Sequence, residues 1–172
     1  MKRSTTRSWL LLAAVGAGCA DPVADERVEA LGGEDPAVAP GPLHRPGEPC
    51  GACHREDGGA RRAFSLSGTV FRDPRARVPA TSTTVRFIDA TGAQHTAHPN
   101  AAGNFYLTPD EFAPVWPVWM KLESCGSTAE MTSASSREGS CAACHADPAG
   151  PKSVGHVYVS AAGGEGGGSS CD

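Results

Sequence analysis

Thr83-Thr84-Val85-Arg86-Phe87-Ile88-Asp89-Ala90 is the stretch on which the fold turns. β-Branched and aromatic residues dominate it, and Val85 and Phe87 share one side of a period-two alternation, the pattern of a half-buried strand. Thr91-Gly92 is then a tight turn leading into Ala93 to His98. Upstream, Phe64, Leu66, Gly68 and Val70 alternate with Ser65, Ser67, Thr69 and Phe71, a second half-buried strand, and Asp73-Pro74 opens a turn or loop after it. Downstream, the turn Pro99 to Gly103 precedes a strand over Asn104 to Thr108. Val118, Met120 and Leu122 share one face of a further strand that leads to Cys125. Short strands separated by turn chemistry predict a mainly β fold, a small sandwich over residues 64–124.

Two five-residue stretches flank that sandwich. Cys50-Gly51-Ala52-Cys53-His54 lies in the segment 49–63, and Cys141-Ala142-Ala143-Cys144-His145 in the segment 125–160. Each is C-x-x-C-H, the attachment signature of a c-type haem. Two thiols at this spacing can each form a thioether to one porphyrin edge, and the adjoining histidine then reaches the iron. The expected cofactors are therefore two covalently attached haems, held by Cys50, Cys53, Cys141 and Cys144, with His54 and His145 as proximal iron ligands. Both segments read as loops or short helical turns. Residues 126–140 are a Ser, Thr, Ala and Gly-rich loop or short helix, and Val154 to Ser160 is a closing strand.

The rival use of paired cysteines is a Zn²⁺ site. Its two C-x-x-C pairs usually stand about 15–20 residues apart, whereas 87 residues separate Cys53 from Cys141. Zinc also leaves the repeated trailing histidine unexplained. A pair of small disulfide loops is the other reading. For the sixth iron position the candidates are His44, His156 and Met131. Met120 fits better as core, and His95 and His98 as solvated turn residues; either iron could also be five-coordinate. Arg55, Arg61 and Arg62 could meet haem propionates, although solvated loop charge explains them as well. Trp116 and Trp119 could pack on a porphyrin or fill the sandwich.

The chain begins like an exported one. Lys2, Arg3 and Arg7 precede the short apolar run Trp9 to Val15, and Gly16-Ala17-Gly18 precede Cys19. This is a signal peptide over 1–19, too short to span a bilayer. Cys19 after small residues resembles the lipobox of bacterial lipoproteins, which implies lipidation at Cys19; Gly16 departs from the aliphatic residue usual there, and cleavage after Ala20 is the alternative. Five prolines and seven acids make 20–48 a disordered tether, and 161–172 is a flexible Gly/Ser tail. Cys125 and Cys171 are left over and could pair as a disulfide or stay apart. The whole chain has 15 cations against 19 acids, net −4; removing residues 1–20 takes away three cations and no acid, leaving 12 against 19, or −7. That balance excludes nucleic acid as a natural partner.

Ser67-Gly68-Thr69-Val70, Val85-Arg86-Phe87-Ile88-Asp89 with Thr91-Gly92, and Gly103-Asn104-Phe105-Tyr106 resemble the carboxypeptidase regulatory-like module, a prealbumin-like, Ig-like sandwich of exported proteins. The resemblance covers about residues 64–124 and implies a non-catalytic structural or binding unit; no H-E-x-x-H is present. The two haem motifs in an exported chain resemble multihaem cytochromes of respiratory chains. The expectation is an electron carrier at the periplasm or cell surface, lipid-anchored, with redox proteins as donors and acceptors. A surface-binding sandwich with the haems as staples or sensor is the alternative. A peroxidase is disfavoured because dihaem peroxidases are much longer chains.

Overall fold

The computed structural model describes residues 21–124 and 126–159. It is mainly β, with two antiparallel sheets. Strand β1 (Leu66–Thr69) pairs with β4 (Asn104–Leu107) as a ribbon. The second sheet has the order β3-β2-β5-β6, built from β2 (Thr84–Ile88), β3 (Gln94–Ala97), β5 (Trp119–Ser124) and β6 (Ser127–Glu130).

Register follows the apolar alternation. Val85 stands opposite Leu122 and Phe87 opposite Met120, so these four side chains share the inner face of the larger sheet. Leu66 opposite Leu107 and Gly68 opposite Phe105 give the ribbon its inner face. The two faces close on a core containing Phe87, Phe105, Val85, Leu66, Val70 and Val118. Phe87 and Phe105 meet across the sandwich with ring centroids 5.9 Å apart, a tilted aromatic contact.

Asp89 shows how one side chain shapes the turn after β2. Its Oδ1 accepts from the Thr91 and Ala93 amides at 2.8 and 3.0 Å and from the Thr91 hydroxyl at 2.6 Å. Its Oδ2 accepts from the Val115 amide at 3.0 Å. These donors, the Thr91 hydroxyl first, favour the ionised carboxylate and lower its pKa to about 2. A depressed carboxyl pKa adds stability above the unfolded value, about 3.9. That contribution is lost as pH falls through the folded value. The denaturation midpoint should therefore drop between about pH 4 and pH 2, and Asp89→Asn should remove this component of the drop in midpoints measured across that range.

Three expectations need correction. Residues 20–48 were expected to be a disordered tether, but from residue 21 the segment is built onto the sandwich. Helix α1 (Pro22–Ala30) starts from Asp21, whose side chain accepts from the Ala24 amide at 3.1 Å, with Pro22 in the first turn. Arg45 then ties the coil together, bonding Glu34 Oε1 at 2.8 Å, the Leu31 and Gly32 carbonyls at 3.2 and 2.6 Å, and the Glu48 carboxylate. Asn104 on β4 donates to the Pro42 and His44 carbonyls at 3.2 and 2.9 Å, and the Gly47 amide donates to Thr69 Oγ1 at 2.7 Å. As a consequence β1 is buried on both faces rather than half-buried.

The loop or short helix expected over 126–140 contains β6, where Ala129 stands opposite Leu122. The β5–β6 turn carries Gly126 at φ +79°, the left-handed conformation that a two-residue hairpin loop requires. The closing strand expected over Val154 to Ser160 is reduced to a single parallel bridge. The Phe71 amide donates to the Val157 carbonyl at 2.9 Å, and the Val159 amide to the Phe71 carbonyl at 3.0 Å. Cys19, Cys125 and Cys171 lie outside the described residues, as do the signal segment and the tail. No helix among the described residues is long and apolar enough to cross a membrane.

Candidate functional site: two matched Cys-Cys-His turns

The two C-x-x-C-H motifs adopt the same local structure. Each forms a single 3-10 turn, Cys50–Ala52 and Cys141–Ala143. In each, the amide of the second cysteine donates to the carbonyl of the first at 3.2 Å, and the histidine amide donates to that same carbonyl at 2.8 Å. Gly and Ala between the cysteines impose nothing against this tight turn; Pro49 precedes the first turn, and Ser140 precedes the second in an extended conformation.

The histidines are fixed in the same way. His54 Nδ1 bonds the Arg62 carbonyl at 2.8 Å, and His145 Nδ1 bonds the Gly155 carbonyl at 3.1 Å. A carbonyl can only accept, so Nδ1 is the donor in both rings, and in the neutral tautomer this leaves the lone pair on Nε2. Neither carbonyl was visible from the sequence, because backbone groups leave no residue signature. The local spacing, eight and ten residues downstream, is the only trace.

The first motif lines a cleft of about 360 Å³ on the outer face of the β1–β4 ribbon. Cys50, Cys53 and His54 share it with His44, Phe64 and Tyr106. The His54 ring stacks on Phe64 at 4.0 Å and 7°, and Phe64 stacks on Tyr106 at 4.5 Å. His44 lies beside His54, centroids 5.9 Å apart and planes 14° from parallel. The second motif sends Cys141 and His145 to a cleft of about 580 Å³ at the mouth of the sandwich, with Phe105, Met120, Leu122 and Met131 in its walls. Cys144 is exposed and faces a neighbouring cleft, which Arg55 and Trp116 also line.

Cys141 is buried and Cys144 exposed, whereas Cys50 and Cys53 are both half-buried. Burial raises the pKa of the Cys50 thiol and pushes that of Cys141 up to about 12. Cys141 Sγ donates toward Met120 Sδ at 3.8 Å, so Met120 is part of the core margin, as its alternation with Val118 and Leu122 predicted. All four motif cysteines are free thiols. Among the described residues no three His, Cys, Asp or Glu side chains are gathered as a metal-ion donor set. The cage that the zinc reading needs is thus not formed by the four thiols.

The remaining candidates separate cleanly. His44 joins the first cleft and Met131 the second. His156 also borders the second cleft but is 6% exposed with both nitrogens engaged: Nδ1 with the Asp147 carboxylate at 2.8 Å and Nε2 with the Asp73 carbonyl at 2.8 Å. As placed both of its nitrogens are taken up by protein partners, and its bond to Asp147 holds that carboxyl below the usual range. His95 stacks on Phe112 and His98 is exposed, away from both motifs. Arg61 and Arg62 are exposed, and Trp119 is largely so. Searches of family models, curated proteins and solved structures return no match to the chain.

Proposed function

We propose that the protein is an exported dihaem c-type cytochrome that carries single electrons between protein partners. The observation that carries this reading is the matched pair of histidines, each with Nδ1 committed to a backbone carbonyl and Nε2 left for a metal. A proximal ligand is held in its tautomer and orientation by such a bond. The rest of each site suits the group chemically. A thioether is neutral, so it suits sites where burial opposes a thiolate, and aromatic and thioether side chains supply apolar walls.

A bound haem would supply a reversible one-electron couple. The chain's own residues bind, orient and shield it. Cys50 with Cys53, and Cys141 with Cys144, are the anchors. Arg62 and Gly155 fix the two imidazoles through their carbonyls. Phe64 and Tyr106 exclude water from the first cleft, and Phe105 and Met120 from the second. His44 in the first cleft and Met131 in the second are the side chains that would be available as further ligands to a group bound there. Imidazole pairs hold haem at lower potential and thioether ligation raises it, so with these ligands the two sites would differ in potential.

The test is maturation of the full chain in a haem-attaching host, followed by intact mass and by oxidised and reduced spectra. Two covalent haems per chain are expected, both low-spin in the parent. His44→Ala should turn only one of them high-spin. Bound zinc without haem, or a colourless chain, overturns the reading. Two haems that refuse electrons from every small carrier and protein donor in stopped flow would instead favour the sandwich as a binding module.

A further inference from the structure

We propose that the chain with free thiols carries a site for a soft monovalent metal ion, Cu(I), at the second cleft, held by Cys141, Met120, Met131 and His145. The inference stands apart from the dihaem reading. Its two central sulfurs are already side by side: Cys141 Sγ lies 3.8 Å from Met120 Sδ. A metal–thiolate bond is about 2.3 Å long, as at zinc, so one ion set between the two sulfurs can bond both. Strand β1 fixes Cys141 there. At Gly68 a Cβ would come 2.8 Å from Cys141 Sγ and 2.9 Å from Cys141 Cβ, so only glycine leaves room for the sulfur. The backbone brings Met131 alongside Met120, its amide donating to the Met120 carbonyl at 3.1 Å. Met131 and His145 line the same cleft, and the Gly155 carbonyl engages His145 Nδ1, which leaves Nε2 as the donor atom.

Donor type decides the ion. Thiolate and thioether sulfur select Cu(I), whereas carboxylate, carbonyl and water suit hard cations. Zn²⁺ is bound by thiolate, imidazole and carboxylate, and among the described residues no three side chains of these kinds are gathered. The donors that complete this set are methionines, which favour the softer ion. Burial opposes a bare thiolate, but Cu⁺ bound to one thiolate carries no net charge. Val85, Phe105 and Leu122 wall the pair from water. Binding replaces the S–H bond of Cys141 with an S–Cu bond and releases one proton to solvent, and the copper stays Cu(I) throughout. In the proposed cytochrome a thioether takes that same sulfur, so the ion and the second haem exclude one another.

The test uses the full chain made without haem attachment, kept reduced under nitrogen and labelled with methyl-¹³C methionine. The chain has three methionines, so Met120→Leu and Met131→Leu assign the methyl resonances. Cu(I), added to saturation as its acetonitrile complex, should shift the Met120 and Met131 methyls, and Zn²⁺ should leave them in place. Cys141→Ser should abolish the Cu(I) shift. Cys144→Ser and Cys50→Ala/Cys53→Ala should retain it, which separates this site from chelation by the paired thiols. Methyls that stay in place at saturating Cu(I), or that move as far with Zn²⁺, overturn the inference. A shift that survives Cys141→Ser or is lost in Cys144→Ser overturns it as well. If Cys141→Ser fails to fold, the parent's methyls under the two ions still decide. A chain that shows the shift but never takes haem overturns the dihaem reading alone. A chain that matures with two haems, yet shows no shift before maturation, overturns the copper site alone.

Discussion

A chain carrying Cys141→Ala and Cys144→Ala together is expected to leave a maturation-competent host with half the parent's haem absorbance per chain, and with one haem fewer by intact mass. The companion variant Cys50→Ala/Cys53→Ala should behave alike. Each turn supplies its own histidine anchor from nearby chain, Arg62 for His54 and Gly155 for His145, so losing one site leaves the other's ligand in place. In the proposed cytochrome, removing both thiols would also remove both covalent bonds to the porphyrin and leave only the histidine to hold it. Loss of both haems from either double variant would show that the sites assemble as a unit. Retention of both would refute covalent attachment at the substituted pair.

Phe87→Ala should give the largest loss of stability. The side chain is 0% exposed at the centre of the core and meets Phe105 in the opposite sheet. Truncating a buried Phe to Ala costs about 3–5 kcal/mol, through lost transfer energy and the cavity left behind. Whole domains have only about 5–15 kcal/mol to spare. The urea midpoint of the holoprotein should fall steeply with its slope unchanged. Val115→Ala, at a residue 51% exposed, should move it by no more than about 0.5 kcal/mol equivalent. Similar midpoints for the two variants would mean that the sandwich core does not dominate stability.

The parts legible in the sequence are those where local pattern and burial agree. β2 and β4 announce themselves because Val85, Phe87, Phe105 and Leu107 alternate with residues facing the other way, and the larger sheet's register obeys that alternation. β6 gave no such signal: the residue it turns inward opposite Leu122 is only Ala129, and small residues carry little period. Its best clue was Gly126, a turn residue that composition alone spreads across the whole 126–140 stretch. The N-terminal coil was misjudged for a different reason. Proline and acid content describe what a segment cannot do by itself, whereas Arg45, Asn104 and Thr69 supply long-range partners that no local window contains. At the candidate sites the motif residues were plain, but their surroundings were not. The sequence ranked His156, Met131 and His44 together; only the fold commits both nitrogens of His156 to protein acceptors and divides the other two between separate clefts.

The depth of Cys141 has a bearing on biogenesis. Its sulfur sits beneath the ribbon with no room to spare at Gly68, in surroundings that keep it protonated. A thiol reacts as its thiolate, and from an accessible position. In the proposed cytochrome, the second porphyrin must therefore be fastened while the polypeptide is still open, before the ribbon settles over the attachment point. A molecule that finished folding empty would keep that sulfur only 8% exposed beneath the ribbon, poorly placed for a ligase to reach.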